Sequence, residues 1–391
     1  MYHGIIVIVT KTLLALTDEQ AKRAIRSYHE ANLLSLEIYN CLREEFNRLS
    51  EDYGPIANIV GLFFHDLMVH FSGIVIQREF FYDYDEPGNF PWIGKVYAIK
   101  PFRVREDSYI EKYQSRSFWR SKGLVAVAAG EAISFDSREE RLSRKIFSIL
   151  THHQFASRAY LPDRDKQIGR LNDLIERMAS KLEIPELGRL IENWQYYARH
   201  HTSTDQVSIK ERGLVIGTRA SLQNRKLAIN FLQQNKPVVA MTHGEVSNTI
   251  FDEPLFGYAE LGFCSTLVDY GDARLEGQFN KPLITPKNQV SRTSAVVKKV
   301  RARESMIRGP RGSSKRFLYV PTVYNESFHY GPYRGFEDGL YVRWQSELLS
   351  AVPGITIKAH PKSRRPNFCN ETESRLLEKC FFEYDVIIFD Y

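Results

Sequence analysis

The chain has 391 residues, of which 43% are hydrophobic and 13% aromatic, so it can fill two domains and is not disordered throughout. Its net charge of +6 suits an anionic substrate or membrane surface, whereas the spread of its basic residues and the lack of a nucleic-acid-binding motif argue against nucleic acid. No apolar run of about 18 residues predicts a transmembrane helix, and the four cysteines lack metal-ligand spacing, as expected for reduced thiols in a cytoplasmic protein.

The first half of the chain is predicted to be mainly helical after one strand. Residues 5–10 form an apolar run that we interpret as a buried strand, because a signal peptide would need a basic leader and a cleavage site. Apolar residues at helical spacing predict a long helix over 17–49. Residues 74–135 have no clear pattern, and helical patterns interrupted by two prolines dominate 138–199.

A strand and helix alternation begins at Gly213. It predicts a strand over 214–217, a helix over 221–235, and further strands over 237–241 and 267–270. This order implies parallel strands with right-handed crossovers. The basic stretch 281–315, with its Gly, Ser and Pro residues, is predicted to be a linker.

The alternation restarts after this linker. Strands are predicted over 317–320, 355–359 and 386–389, with helices over 340–352 and 371–380 between them.

The two blocks together predict an α/β protein of two Rossmann-like domains, residues 1–285 and 286–391, that face each other across a cleft. The last strand ends at Tyr391 without the crossover helix that would cover it. We therefore expect the natural protein to continue and the second domain to be truncated.

Lys358 and His360 lie at the end of an apolar β-branched run, which Pro361 stops because it lacks an N–H group. Ligands of open α/β sheets bind beyond strand ends, and a cation with an imidazole suits a phosphate there. Thr322 and Tyr324 follow another strand and should face the same cleft, where hydroxyls and amides could hold a nucleotide. A simple strand terminator explains Pro321-Thr322 equally well.

An acidic loop follows the strand over 237–241. It contains His243, Glu245, Asp252 and Glu253. Transfer chemistry at a sugar needs paired carboxyl groups in different environments, one ionised and one able to hold a proton. The alternative is the start of a helix, where acidic residues are favoured by the macrodipole.

Two other patterns carry less weight. Asp83-Tyr84-Asp85 has the form that metal-dependent glycosyltransferases use, but it lies outside the α/β blocks. The basic residues over 298–315 are typical of a solvated face, with membrane contact as the alternative.

Taken together, the chain resembles bacterial surface-polysaccharide glycosyltransferases of GT-B architecture, in particular the retaining β-Kdo transferases of O-antigen and capsule assembly. The resemblance covers about residues 213–391. The motifs that carry it are Thr218-Arg219-Ala220-Ser221, His243-Gly244-Glu245 with Asp252-Glu253-Pro254, Val268-Asp269-Tyr270-Gly271-Asp272, and Lys358-Ala359-His360-Pro361.

The resemblance implies transfer of Kdo from CMP-Kdo to a lipid-linked glycan acceptor in lipopolysaccharide O-antigen or capsule synthesis. Residues 1–285 would bind the acceptor and carry the catalytic groups, and residues 286–391 would bind the nucleotide sugar. Such enzymes work without a metal or other cofactor. From its cysteines we expect the protein in the cytoplasm, and its net charge of +6 would allow peripheral contact with the anionic inner membrane.

The resemblance also implies roles for individual residues. Asp252 is the expected nucleophile, forming a glycosyl-enzyme that gives retention, and Glu245, Glu253 and His243 are candidates for the acid/base.

His360 and Pro361 would contact the CMP phosphate, with Lys358 and Arg219 adding positive charge for the phosphate and the Kdo carboxylate.

Two other functions fit the same residues. One is a related transferase for CMP-sialic acid or a CDP-polyol, which would share the fold class and the His-Pro tip. The other is a non-catalytic basic domain that binds a lipid-linked glycan or an anionic membrane.

Overall fold

The structure is a computed structural model, and it describes residues 18–81, 126–127, 148–149, 158–209, 212–217, 219, 222–241, 254–259, 261–269, 281–291, 315–321, 347–358, 373–375 and 377–389. The strand predicted over 5–10 lies outside these residues. The helices are α1 (Asp18–Tyr53), α2 (Ile59–Phe81), α3 (Arg164–Lys181), α4 (Pro185–Gly188), α5 (Ile191–His201), α6 (Leu222–Gln233), α7 (Pro254–Ala259) and α8 (Leu377–Cys380).

The strands form three parallel sheets. They are β1 (Ala126–Val127), β2 (Ser148–Ile149), β3 (Ala159–Tyr160), β4 (Thr202–Ser203), β5 (Leu214–Ile216), β6 (Val238–Met241), β7 (Thr266–Asp269), β8 (Asn288–Ser291), β9 (Phe317–Val320), β10 (Thr356–Ile357) and β11 (Val386–Phe389).

The helices α1 and α2 pack along each other, and the prediction of a long helix at 17–49 is confirmed, although α1 continues to Tyr53. Asn58 caps α2, because its side-chain oxygen accepts from the main-chain N–H groups of Val60 and Gly61 at 3.0 and 3.2 Å. From Ile59 to Val75, α2 carries buried apolar residues on every side, as expected of a helix packed between neighbours.

The helix α3 places its buried residues Ile168, Leu171, Ile175 and Met178 at intervals of three and four, so one face packs on the core. The predicted helix breaks near the two prolines are confirmed. The helical prediction is wrong at Ser148–Ile149, which form β2 and pair with β1, and at Ala159–Tyr160, which form β3 and pair with β4.

The largest sheet has six parallel strands in the order β2-β1-β5-β6-β7-β8. This confirms the parallel strand and helix alternation predicted from residue 214. The linker prediction is wrong at Asn288–Ser291, because these residues form β8 and pair with β7. Their polar sequence concealed the strand, since an exposed edge strand need not be apolar.

One cluster of buried side chains extends from Ala31 to Leu283 and joins α1, α2, α3, α5, α6 and the largest sheet. The helix α6 lies within it and is buried on all sides, although it carries Asn224, Arg225, Lys226 and Asn230. Charged groups at such positions need partners, and these are described below.

The second α/β block forms a three-stranded parallel sheet in the order β10-β9-β11. Residues 347–351 and α8 are helical, as predicted, and Phe381–Glu383 form a 3-10 turn before β11. The helix predicted over 371–380 is shorter in the structure, because residues 373–375 are not helical.

The fold class is therefore α/β with parallel sheets. The facing arrangement of two domains and the boundary at residue 285 stay predictions; β8 lies after that boundary and pairs within the largest sheet. Within the described ranges, no helix is long and apolar enough to cross a membrane. Cys41, Cys264 and Cys380 are buried and form no disulfide, whereas Cys369 lies outside the described residues.

Candidate functional site

The carboxyl ends of β5, β6 and β7 lie side by side in the largest sheet. The loops that follow parallel strands start at these carboxyl ends, where ligands of open α/β sheets bind. Asp269 ends β7 and is fully buried, and its carboxylate accepts a hydrogen bond of 2.6 Å from the side chain of Gln289 on β8. The motif around Asp269 therefore begins at the carboxyl end of a strand, as the sequence predicts.

The acidic loop follows the carboxyl end of β6, since this strand ends at Met241. Its candidate catalytic residues, His243, Glu245, Asp252 and Glu253, lie outside the described residues, and their roles stay predictions.

The described chain resumes after the acidic loop at Pro254, the first residue of α7. This helix packs against α2, with the Tyr258 ring 5.1 Å from the Phe64 ring and 5.8 Å from the His65 ring, centre to centre. The far end of the loop is thus anchored on α2.

Arg219 follows β5 and is fully buried. Its guanidinium donates to the main-chain oxygens of Gly262 at 3.1 Å and Gly217 at 2.6 Å. These contacts brace the loop after β5 against the segment before β7. They favour a structural role for Arg219, and its predicted contact with a donor sugar stays a prediction.

Lys358 lies at the carboxyl end of β10, beside the end of β9. Its main-chain N–H donates to Tyr319 on β9 at 2.7 Å, and the parallel register pairs Ile357 with Tyr319. Lys358 and Pro321 therefore follow the carboxyl ends of two adjacent parallel strands. His360, Pro361, Thr322 and Tyr324 lie outside the described residues.

A cluster of charges borders β10, and we call Glu373, Arg375 and Glu383 the Arg375 cluster. The guanidinium donates to Glu373 at 2.7 and 3.0 Å and to Glu383 at 2.6 and 3.0 Å. The hydrogen bonds from Arg375 lower the pKa of Glu373 to about 2, and Arg375 also lowers the pKa of Glu383. Both carboxylates are therefore ionised at neutral pH.

Sequence reasoning missed an ion pair that joins α6 to α2. Arg225 on α6 is fully buried and donates to the Asp66 carboxylate on α2 and to the main-chain oxygens of Leu62, at 2.7 Å, and Arg219. Burial raises the pKa of Asp66, against the lowering effect of Arg225.

Perturbed carboxyl groups of this kind occur in acid/base sites and in structural ion-pair networks. The signal that could have found the pair is His65-Asp66, two polar residues between two apolar runs of α2.

A second buried pair joins α6 to the end of α5. The Lys226 ammonium lies 3.3 Å from Nδ1 of His201, and both side chains are buried. An ammonium can only donate, so Nδ1 accepts and the imidazole is neutral. Burial, reinforced by Lys226, lowers the pKa of His201 to about 2.

No protein-family model, curated protein or solved structure matches this chain at a significant level.

Among the residues that the structure describes, no group of three His, Cys, Asp or Glu side chains lies close enough to hold a metal ion. The metal-independent chemistry implied by the resemblance stays a prediction.

Proposed function

We propose that the protein is a glycosyltransferase that moves Kdo from CMP-Kdo to a glycan acceptor, with GT-B architecture and retention of configuration. The observation that carries the proposal is the position of Lys358 at the carboxyl end of β10, beside the end of β9. Parallel α/β sheets bind nucleotides and phosphates at the carboxyl ends of their strands. Lys358 opens the Lys-x-His-Pro segment, so its cation and the imidazole of His360 would meet the CMP phosphate.

The first step breaks the bond between Kdo and CMP. A carboxylate oxygen of Asp252 attacks the anomeric carbon from the face opposite CMP, and CMP leaves with the bonding electrons as its phosphate contacts Lys358 and His360.

The second step transfers the sugar to the acceptor. Glu245, Glu253 or His243 takes the proton of the acceptor hydroxyl, the hydroxyl oxygen attacks the same carbon, and Asp252 leaves as a free carboxylate. Two inversions give net retention. The acidic loop supports this sequence because it starts at the carboxyl end of β6, where substrates of parallel sheets are held.

The test is nucleotide release by the full chain from CMP-Kdo, CMP-sialic acid and CDP-glycerol, together with intact-mass analysis after mixing with CMP-Kdo. We expect CMP release from CMP-Kdo and a covalent Kdo adduct that is absent in Asp252→Asn. Release from one of the other donors instead would reassign the sugar. An adduct that persists in Asp252→Asn would remove Asp252 as nucleophile.

Lys358→Ala tests the nucleotide contact itself. We expect KM for CMP-Kdo to rise about ten-fold or more, since a charge-assisted hydrogen bond to phosphate is lost. The matched control is Lys315→Ala, which removes an exposed lysine that precedes the amino end of β9, at the opposite end of the strands. Equal KM values for the two variants would remove Lys358 from the nucleotide site, whereas binding of lipid-linked glycan without nucleotide release would favour the non-catalytic alternative.

A further inference from the structure

We infer that Arg375 is a positioning residue for the nucleotide site that begins at Lys358. The inference rests on the proposed function. Arg375 does not itself need to touch the ligand, because its contacts fix the end of β10 from which Lys358 extends.

The strand β10 consists of only two residues and lies at an edge of its sheet. A strand this short has few ladder bonds of its own, so the bonds at its carboxyl end determine where Lys358 lies. One of these bonds runs from the Lys358 N–H to Tyr319 at 2.7 Å, and another runs from the Glu373 N–H to the Ile357 oxygen at 2.8 Å.

The two bonds lie on opposite sides of β10. The peptide unit between Ile357 and Lys358 directs its N–H toward β9 and its C=O away from β9, so Glu373 contacts the other side of the strand. Glu373 therefore holds β10 from the side on which the described residues include no neighbouring strand.

Arg375 fixes Glu373 in this place. Its main-chain N–H donates to the Glu373 carboxylate at 2.9 Å, and its guanidinium bonds both carboxylate oxygens. The Glu373 side chain is only 7% exposed, so its charge needs these partners.

The other side of the guanidinium reaches Glu383, in the turn before β11. Tyr384 adds a link, because its hydroxyl lies 3.2 Å from the Glu373 carboxylate and also bonds the Thr356 side chain. Arg375 thereby links the turn before β11 to Glu373, which is bonded to β10. These two strands lie on opposite sides of β9.

A purely structural cluster and a positioning cluster predict different losses. The Arg375 and Glu383 side chains are 47% and 40% exposed, so the bonds between these two contribute little to global stability, whereas removal of Arg375 deprives the 7% exposed Glu373 of its charge partner. A purely structural role predicts that these losses appear in stability alone. A positioning role predicts a loss of ligand affinity in a variant that still folds. Lysine should replace arginine poorly, because an ammonium cannot form bidentate bonds to two carboxylates.

The experiment measures CMP binding by titration calorimetry and donor kinetics for the full chain and for Arg375→Ala, Arg375→Lys and Lys315→Ala, with thermal unfolding of each. For Arg375→Ala we expect CMP affinity to fall about ten-fold and KM for the donor to rise similarly, with kcat near its original value. Arg375→Lys should recover only part of the affinity, and Lys315→Ala should match the original chain.

Unchanged CMP affinity in a folded Arg375→Ala would overturn the inference while the proposed function stands. If the original chain binds no CMP, the proposed function fails, and the role of Arg375 falls with it. If Arg375→Ala does not fold, Glu383→Gln replaces it, because this change removes one arm of the cluster and leaves the bonds to Glu373. Weaker CMP binding by Glu383→Gln supports the inference, and equal binding overturns it.

Discussion

Two regions of the molecule use arginine and carboxylate pairs in opposite settings. Between α2 and α6, the Arg225 side chain is fully buried and that of its partner Asp66 is 19% exposed. In the second sheet, the side chains of Arg375 and its partner Glu383 are 47% and 40% exposed. Removing one partner of a buried pair leaves an uncompensated charge or unpaired polar groups, whereas exposed pairs exchange readily with water. The same residue types thus stabilise the fold in the first region and set local geometry in the second.

The largest effect is expected from Arg225→Met. It leaves the Asp66 carboxylate and the main-chain oxygens of Leu62 and Arg219 without the guanidinium. We expect the free energy of unfolding to fall by about 3–5 kcal/mol, measured by urea denaturation. Arg375→Ala should lower the free energy of unfolding by much less, because the guanidinium that it removes is 47% exposed.

A double variant sharpens this result. Arg225→Met with Asp66→Leu replaces both charged partners by apolar groups, so it should recover part of the lost stability. A double variant no more stable than Arg225→Met, or equal losses for Arg225→Met and Arg375→Ala, would remove the distinction between the two regions.

Glu45→Gln is expected to have the next largest effect. The Glu45 carboxylate accepts from Arg48 at 2.9 Å, from Arg170 at 3.2 Å and from Arg177 at 2.7 Å, and so ties α1 to α3. Its loss should lower the free energy of unfolding by roughly 2 kcal/mol, because the three cations lose their shared counter-charge.

Glu44→Gln is the matched control, since Glu44 is the preceding residue of α1 and is exposed. It should change stability by less than about 0.5 kcal/mol in the same measurement. Similar losses for the two variants would show that burial does not decide the outcome.

The sequence sufficed for the parts of the fold that have strong local patterns. Strands such as β6 and β9, which have parallel neighbours on both sides, are apolar along their length, so their positions were predicted to within a residue or two. The strand β8 has a polar sequence at an exposed edge, and β2 is two residues long in a stretch with helical spacing. Both were missed because pairing with a distant strand, rather than local pattern, defines them.

The candidate site follows the same division. The place of Lys358 at a strand end could be predicted, because a β-branched run followed by His-Pro is a local signal. The buried pairs of α6 could not, because a helix with Arg225 and Lys226 on it has the sequence of an exposed helix. Contacts with Asp66 and His201 contribute to the stability of those buried cations, and both partners are distant in sequence.

The smallest expected effect is a pH dependence in the first region. The folded pKa of His201 is about 2, lowered by burial and by Lys226, whereas the unfolded chain binds this proton near the ordinary value of 6.5. Burial also lowers the pKa of His70, to about 4. Below pH 6.5 the unfolded state therefore holds more protons than the folded state, and stability must fall as the pH falls. We expect a loss of roughly 1 kcal/mol per pH unit from His201, seen in urea denaturation between pH 7 and pH 5.

His201→Asn isolates this contribution, because the amide oxygen can still accept from Lys226 but does not titrate. The groups that face His201 are Lys226, His200, Arg158 and the Tyr197 ring, which lies 4.4 Å away, centre to centre. His200→Asn, at the exposed neighbouring position, should keep the slope of the original chain. If His201→Asn kept that slope as well, the imidazole would already carry its proton in the folded state beside the Lys226 ammonium. The buried region would then tolerate two adjacent cations, and its contrast with the exposed Arg375 cluster would not depend on keeping His201 neutral.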